Sequence, residues 1–145
     1  MISGSEIKNI LLRIVKNDPV LGVIAEIVKD KHAPVKEDDV KERIVIVIPG
    51  GTDNGQFSRS YPRICIYIPD VKVPIGNSNF YKPDNNRLTE LENHCEEKFR
   101  SSIYHKHGEE VCIFVKDTIT MEEDAETYSH FLNVRLRFEV VNTKL

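Results

Sequence analysis

Two kinds of hydrophobic spacing follow one another along the chain and predict a mixed fold. At the N-terminus, apolar side chains recur at steps of three and four, which is the spacing of one face of a helix: Ile7, Ile10, Leu11, Ile14 and Val15. Ser3 and Glu6 have the spacing of a capping box at the start of this helix. Asp18 and Pro19 begin the pattern again, because Asp is a favourable N-cap and Pro fits the first helical turn. A second helix ending near Lys31 is therefore predicted.

Two later segments predict β-strands because runs of β-branched residues replace the helical spacing. Residues 43–48 (RIVIVI) and 63–68 (RICIYI) are rich in Ile and Val. Pro49, Pro62 and Pro69 mark their ends, because proline cannot donate a hydrogen bond to a sheet. The first run is apolar at every position after its arginine, which predicts burial on both faces. We expect the two runs to pair as an antiparallel hairpin.

The second half of the chain predicts a long helix followed by two strands. Residues 87–104 carry apolar side chains at steps of three and four, and cationic residues followed by Gly108 are typical of a helix C-terminus. Residues 110–121 and 130–142 predict strands, and the second strand alternates apolar with polar residues, which predicts one solvated face. Residues 69–86 have neither pattern and predict an irregular loop.

The resulting order of elements is helix, helix, strand, strand, helix, strand, strand. Strands joined by hairpins pair antiparallel, and each amphipathic helix needs an apolar sheet face to cover. We therefore expect a single α+β domain over residues 1–145, with a four-stranded, mainly antiparallel sheet packed by one long helix and with an N-terminal helix pair. A length of 145 residues is that of one domain.

Charge and composition exclude some classes of function. The chain has 20 Lys and Arg against 23 Asp and Glu, a net charge of −3, so it lacks the overall positive field that gathers nucleic acid or an anionic membrane. We find no apolar stretch of the length that spans a membrane and no signal-peptide pattern. The 3 cysteines have no tight spacing, which favours a reducing cytoplasm.

The glycine-rich segment after the first strand raises the question of nucleotide binding. Gly50 and Gly55 have the glycine spacing of a phosphate-binding loop, but Gln56 and Phe57 stand where such a loop has Lys and then Ser or Thr. The cation that would neutralise a phosphate is therefore missing, and the segment leads into a strand instead of a helix. A long hairpin tip is the favoured interpretation. A small-ligand or nucleotide-binding domain that uses the Gly50–Gly55 loop is the alternative.

Residues that could carry metal or nucleophilic chemistry are present but poorly arranged. His105, His107 and Cys112 would need a second ligand pair, and the adjacent side chains of His94 and Cys95 diverge by about 100° on a helix. The acidic segment before the last strand lacks the ligand pattern of a calcium loop, and no nucleophile motif occurs. We expect no catalytic, cofactor-binding or metal-binding residues, and hence no enzyme.

Other features are suited to contact with proteins. Leu12 and Leu21 lie off the main apolar faces of the predicted helices, and the segment after the first strand predicts a long loop. Arginines of the final strand lie on its polar face. Together these features predict an assembly surface, whose candidate interface residues are Gln56, Phe57, Arg59, Arg135 and Arg137.

The order of segments resembles that of the phage tail terminator and tail completion proteins, which join the tail to the head. The resemblance covers residues 7–28 as a helix pair, 42–49 and 61–69 as a hairpin, 87–104 as the helix across the sheet, and 111–141 as the closing strands. It implies a non-enzymatic subunit, of phage or prophage origin, that forms a homo-oligomeric ring, a hexamer. The implied partners are copies of the chain itself, tail-tube proteins and head-connector proteins, with no membrane and no sequence-specific nucleic acid.

The resemblance also implies a place and a use for the candidate residues. The protein would be cytoplasmic during assembly and would then lie in the virion tail. The loop residues Gln56, Phe57 and Arg59 would contact the neighbouring copy, and Arg135 and Arg137 would face the lumen or a partner. A monomeric protein-interaction adaptor is a further alternative, which a measurement of mass in solution would separate from a ring.

Overall fold

The chain folds into an α+β structure with helices on one side of a curled sheet. The computed structural model describes residues 1–24, 26–28, 41–49 and 56–142. Its α-helices are α1 (Gly4–Asn17) and α2 (Asn85–Arg100). Its strands are β1 (Ile2–Ser3), β2 (Glu26–Val28), β3 (Arg43–Val47), β4 (Gln56–Phe57), β5 (Arg59–Ser60), β6 (Arg63–Pro69), β7 (Val71–Ile75), β8 (Ser78–Lys82), β9 (Ile103–His107), β10 (Glu110–Asp124) and β11 (Ser129–Asn142).

The main sheet is mostly antiparallel and larger than the four strands expected. Its order is β2-β3-β6-β11-β10-β9, and β5 also pairs with β11. The predicted antiparallel pairing of β3 with β6 is confirmed, with Ile44 opposite Ile66 and Ile46 opposite Ile64. The predicted long loop between them is only partly correct, because β4 and β5 lie within it and pair with β1 and β11. The long pair β10 and β11 has a β-bulge between Lys116 and Thr118. Short separate sheets are formed by β1 with β4 and by β7 with β8.

The predicted first helix is confirmed, and it begins directly after its predicted cap residue, Ser3. The Ser3 hydroxyl accepts a hydrogen bond from the Glu6 backbone N–H at 3.2 Å, which satisfies one of the free donors of the first turn. The apolar face of α1 packs in the same buried cluster as one face of the sheet and the apolar residues of α2. The cluster members from the helices are Ile7, Ile10, Leu11, Val15, Leu88, Leu91, Cys95 and Phe99.

The predicted second helix of the N-terminal pair is wrong. The chain forms a 3₁₀ turn at Leu21–Val23 and then β2, which runs parallel to β3. Asp18 caps this turn as expected, but β-branched residues follow it, and such residues are favoured in strands when a partner strand is available. Leu21 is fully buried, which corrects the expectation that it lies off the apolar face.

The long helix is confirmed, but its predicted C-terminus is wrong. α2 ends at Arg100, and the residues expected at its end lie on β9. Gly108 has a φ of 63° in the tight turn between β9 and β10, so this glycine serves a β-hairpin instead of a helix cap. Because β9 adds to the edge of the sheet, the sheet exceeds the expected size.

The segment predicted as an irregular loop forms a second hairpin, which we call the projecting hairpin (Val71–Lys82). Ile75 pairs with Ser78 across a two-residue turn. Gly76 has a φ of 59°, the sign required of the first central residue in a type II′ turn. The prediction of an irregular segment is therefore wrong.

Cys65, Cys95 and Cys112 are buried free thiols. Burial raises the pKa of Cys95 to about 12 and that of Cys65 to about 11, so these thiols are protonated at neutral pH. Neither described α-helix has the combination of length and apolar character needed to cross a lipid bilayer.

Candidate functional site

The face of the main sheet opposite the helices carries most of the candidate residues, and we call it the outer face. Residues that oppose one another on neighbouring strands form rows across it. From one end, the rows are Arg43, Tyr67, Phe131 and Glu122; then Val45, Cys65, Asn133 and Thr120; then Val47, Arg63, Arg135 and Thr118. Aromatic rings lie in the first of these rows, and two arginines lie side by side in the last.

The apolar end of the outer face is a small closed cluster. The rings of Tyr67 and Phe131 stack with their centroids 4.7 Å apart, and they cover Val45 and Cys65. The Arg43 guanidinium lies over the Tyr67 ring, 4.9 Å from its centroid. Burial raises the pKa of Tyr67 to about 12, so the phenol stays protonated at neutral pH. This end of the face therefore stabilises the sheet and offers no ionised nucleophile.

Next to this cluster, two arginines lie directly opposite each other. Arg63 on β6 is paired with Arg135 on β11, and like charges in that position repel. Arg135 stacks over the ring of Tyr61 with 4.4 Å between its Cζ and the ring centroid, and its Nη1 lies 3.5 Å from an Asp117 carboxylate oxygen. Its buried Nε has no hydrogen-bond partner. The side chain of Arg63 is exposed.

Further along β11, two arginines share one carboxylate. The Glu139 Oε1 atom lies 3.5 Å from Nε of Arg59 and 3.6 Å from Nε of Arg137. A shallow depression of about 330 Å³ lies beside them, lined by Ser58, Arg59, Glu139 and Val140. The predicted residues Arg59, Arg135 and Arg137 therefore share the outer face.

The other candidates, Gln56 and Phe57, lie elsewhere. Their strand β4 pairs with β1, which places Phe57 opposite Ile2. The Phe57 ring is half-buried against the main hydrophobic cluster beneath the helices. Their role at an interface stays a prediction. The Gly50–Gly55 loop, on which the nucleotide alternative depends, lies outside the described residues.

Two of the histidines considered as metal ligands contact carboxylates. His94 Nε2 lies 2.8 Å from Asp18, and His107 Nε2 lies 3.6 Å from Glu6. Cys112 opposes His105 but is fully buried, and burial raises its pKa. Across the described ranges, no group of His, Cys, Asp and Glu side chains is placed to hold a metal ion.

Sequence reasoning missed the projecting hairpin, which carries three exposed apolar side chains. Ile75 is 61 % exposed, Phe80 54 % and Val71 40 %. The hairpin is held at its base, where the rings of Tyr81 and Tyr128 lie 4.9 Å apart. A β-branched run followed by Gly-Asn was the signal for it, but the proline at position 74 argues against a strand in the sequence.

Comparison with known proteins yields no relative of this chain. No protein-family model, no curated protein sequence and no solved structure has significant similarity to it. The surfaces described above are therefore the basis on which a function can be inferred.

Proposed function

We propose that this chain is a structural subunit that assembles with copies of itself into a ring, in the role of a phage tail terminator or tail completion protein. In that role the ring caps a tail tube and joins it to the head connector. The observation that carries the proposal is the projecting hairpin with its exposed Val71, Ile75 and Phe80. Isolated two-stranded hairpins are marginally stable in water, so one that displays apolar side chains is suited to packing against a partner.

A projecting element favours head-to-tail assembly over a symmetric pair. The hairpin forms its own small sheet and extends from the end of β6, so it can reach a neighbouring molecule. A projection on one surface that docks on a different surface gives a heterologous contact, and heterologous contacts close into rings when the rotation permits. A hexamer is the stoichiometry that we propose.

The arginines of the outer face suit a second contact in such an assembly. Arg59 and Arg137 share a single carboxylate, and Arg63 adds an exposed cation beside Arg135. Cationic groups in excess over their acidic neighbours attract acidic partner surfaces and speed encounter. We propose that this face meets an acidic surface of a tail-tube or head-connector protein.

The test is the mass of the purified protein in solution. Light scattering after size-exclusion chromatography should detect multimers as the concentration rises, and negative-stain micrographs should contain rings. Phe80→Asp should shift the population toward the monomer, whereas Val23→Asp, at a residue that is 76 % exposed in the turn before β2, should leave it unchanged. A strictly monomeric wild-type protein would contradict self-assembly and favour the adaptor. Thermal stabilisation by a nucleotide would favour the ligand-binding alternative.

A further inference from the structure

The strand β10 is covered along only part of one edge. β9 pairs with Glu110–Phe114 of β10, while the opposite edge of β10 is paired with β11 along its length except at the bulge residue Asp117. From Val115 to Asp124, no strand among residues 1–24, 26–28, 41–49 and 56–142 pairs with the first edge. We call this segment the open edge. Unpaired backbone N–H and C=O groups on such an edge are a template for a further strand.

The charge of the open edge determines which strand it can accept. It carries Asp117, Glu122, Glu123 and Asp124. Asp117 lies 3.5 Å from Arg135 and Glu122 accepts a hydrogen bond from Asn133, while the one cation, Lys116, lies 2.8 Å from the Glu96 carboxylate of α2. Two open edges brought together would place these acids against one another, which disfavours symmetric edge-to-edge pairing. A cationic strand meets no such repulsion.

The projecting hairpin supplies a strand of that kind. Residues 71–82 contain Lys72 and Lys82 and no acidic residue. In a hairpin closed by a two-residue turn, the residue at position 74 has its backbone groups on the outward edge. Because that residue is proline, it has no N–H to donate to a further strand. The free edge of β7 is therefore poor for pairing. β8 keeps its outward N–H groups, at Asn79 and Tyr81, and is the better donor strand.

We propose that β8 of one copy adds to the open edge of β10 in the next copy. This inference rests on the proposed self-assembly and names the contact that produces it. In a parallel register, Phe80 lies beside Met121 and Lys82 lies beside Glu123. Phe80 and Met121 are both about half exposed in the single chain, at 54 % and 50 %. Aromatic rings and thioethers pack favourably, and the Lys–Glu pair fixes the register.

The side chains agree with this placement because strand residues alternate between two faces. Phe80 and Lys82 share one face of the hairpin, whereas Tyr81 is on the other and stays packed against Tyr128 of its own chain. Met121 and Glu123 likewise share one face of β10. Docking therefore leaves the base of the hairpin unchanged and joins the sheets of successive subunits.

A charge-reversal cycle tests the contact. Lys82→Glu and Glu123→Lys alter exposed side chains and should each weaken self-association about tenfold, because an attractive pair becomes a repulsive one. The double variant should return to within about threefold of the wild-type dissociation constant. Analytical ultracentrifugation gives these constants, and thermal melting checks that each variant folds. Additive weakening in the double variant would overturn the contact.

Disulfide trapping separates this contact from self-assembly in general. The proposed register places Asn79 beside Thr120, and both side chains are exposed. Asn79→Cys with Thr120→Cys should give a ladder of covalently linked chains on mild oxidation, because the native thiols are buried. The matched control is Asn79→Cys with Glu92→Cys on α2, which should give no ladder. Multimers without a ladder would overturn the docking alone, and a monomer in all assays would overturn both proposals.

Discussion

Asp18 connects the two helices, and its replacement provides a quantitative test of the packing. Its side chain is 3 % exposed, and its Oδ1 accepts hydrogen bonds from the backbone N–H groups of Val20 at 2.9 Å and Leu21 at 2.8 Å. From α2, His94 Nε2 lies 2.8 Å from Oδ1, and Lys98 Nζ lies 3.0 Å from Oδ2. One carboxylate therefore ties the end of α1 and the 3₁₀ turn to α2.

The expected cost of Asp18→Ala follows from these contacts. Loss of the capping acceptor costs about 1 kcal/mol. Loss of the charged partner adds about 2 kcal/mol, which is less than for a fully buried pair, because His94 and Lys98 are 26 % and 23 % exposed and regain water. The free energy of unfolding in urea should therefore fall by about 3 kcal/mol, and the melting temperature by roughly 9 °C for a chain of this length.

A second substitution separates the cap from the charge. Asp18→Asn keeps an oxygen for the Val20 and Leu21 N–H groups but turns an NH₂ toward Lys98, so it should cost about 1 to 2 kcal/mol. As a control, Glu92→Ala alters an exposed side chain on α2, and its free energy of unfolding should stay within about 0.5 kcal/mol of the wild-type value. If alanine and asparagine at position 18 were both as mild as the Glu92 control, the reasoning would be refuted.

The same contacts predict a dependence on pH. Burial alone raises the pKa of Asp18, but the hydrogen bonds from Leu21, Lys98, His94 and Val20 together hold the pKa below its ordinary value of 3.8. A carboxyl with a lowered pKa in the folded state stabilises the fold fully above 3.8, and this stabilisation is lost as the pH falls through the folded-state pKa. The difference in stability between wild type and Asp18→Asn should therefore shrink below pH 3.8, and an unchanged difference there would contradict this assignment.

Other predictions concern separate parts of the fold. Gly22→Ala should lower the free energy of unfolding in urea by about 2 kcal/mol, because the new Cβ would lie 2.3 Å from the Lys16 carbonyl oxygen. An unchanged free energy of unfolding would contradict this close approach. The 3 cysteines should react with a thiol reagent only when the protein unfolds, and rapid reaction of the folded protein would show that they are accessible. Arg87→Lys should lower the free energy of unfolding by about 0.5 to 1 kcal/mol, measured by heat or urea, because Arg87 donates two hydrogen bonds of 2.8 Å to the Glu42 carboxylate and lysine cannot form both. An unchanged stability would mean that water replaces the contact.

Sequence patterns correctly predicted the elements that depend on local contacts or that repeat one hydrophobic spacing over many residues. α1 has a cap and a full apolar face, and the strands β10 and β11 alternate over many residues. Strand β2 was missed because its existence depends on parallel pairing with β3, a contact that the local pattern does not encode. The end of α2 was misplaced because cations and a glycine are as typical of a hairpin turn as of a helix C-terminus.

The candidate site was predicted in part for the same reason. Alternation along the last strand correctly placed Arg135 and Arg137 on a common face. Their partners depend on register: Arg63 opposes Arg135 only because β6 pairs with β11 as it does, and Arg59 approaches Glu139 through β5. Such distant pairings cannot be derived from composition or spacing. The open edge of β10 was missed because it depends on where β9 ends.

The opposition of Arg63 and Arg135 has a consequence for how the protein responds to its surroundings. Arg63 and Arg135 are register partners in the native sheet, so repulsion between like charges opposes this pairing. Added salt screens that repulsion and should favour the native state at this point of the sheet, unlike its effect on ion pairs elsewhere. An acidic partner surface bound as proposed above would do the same more strongly, so its binding would also stabilise this part of the sheet.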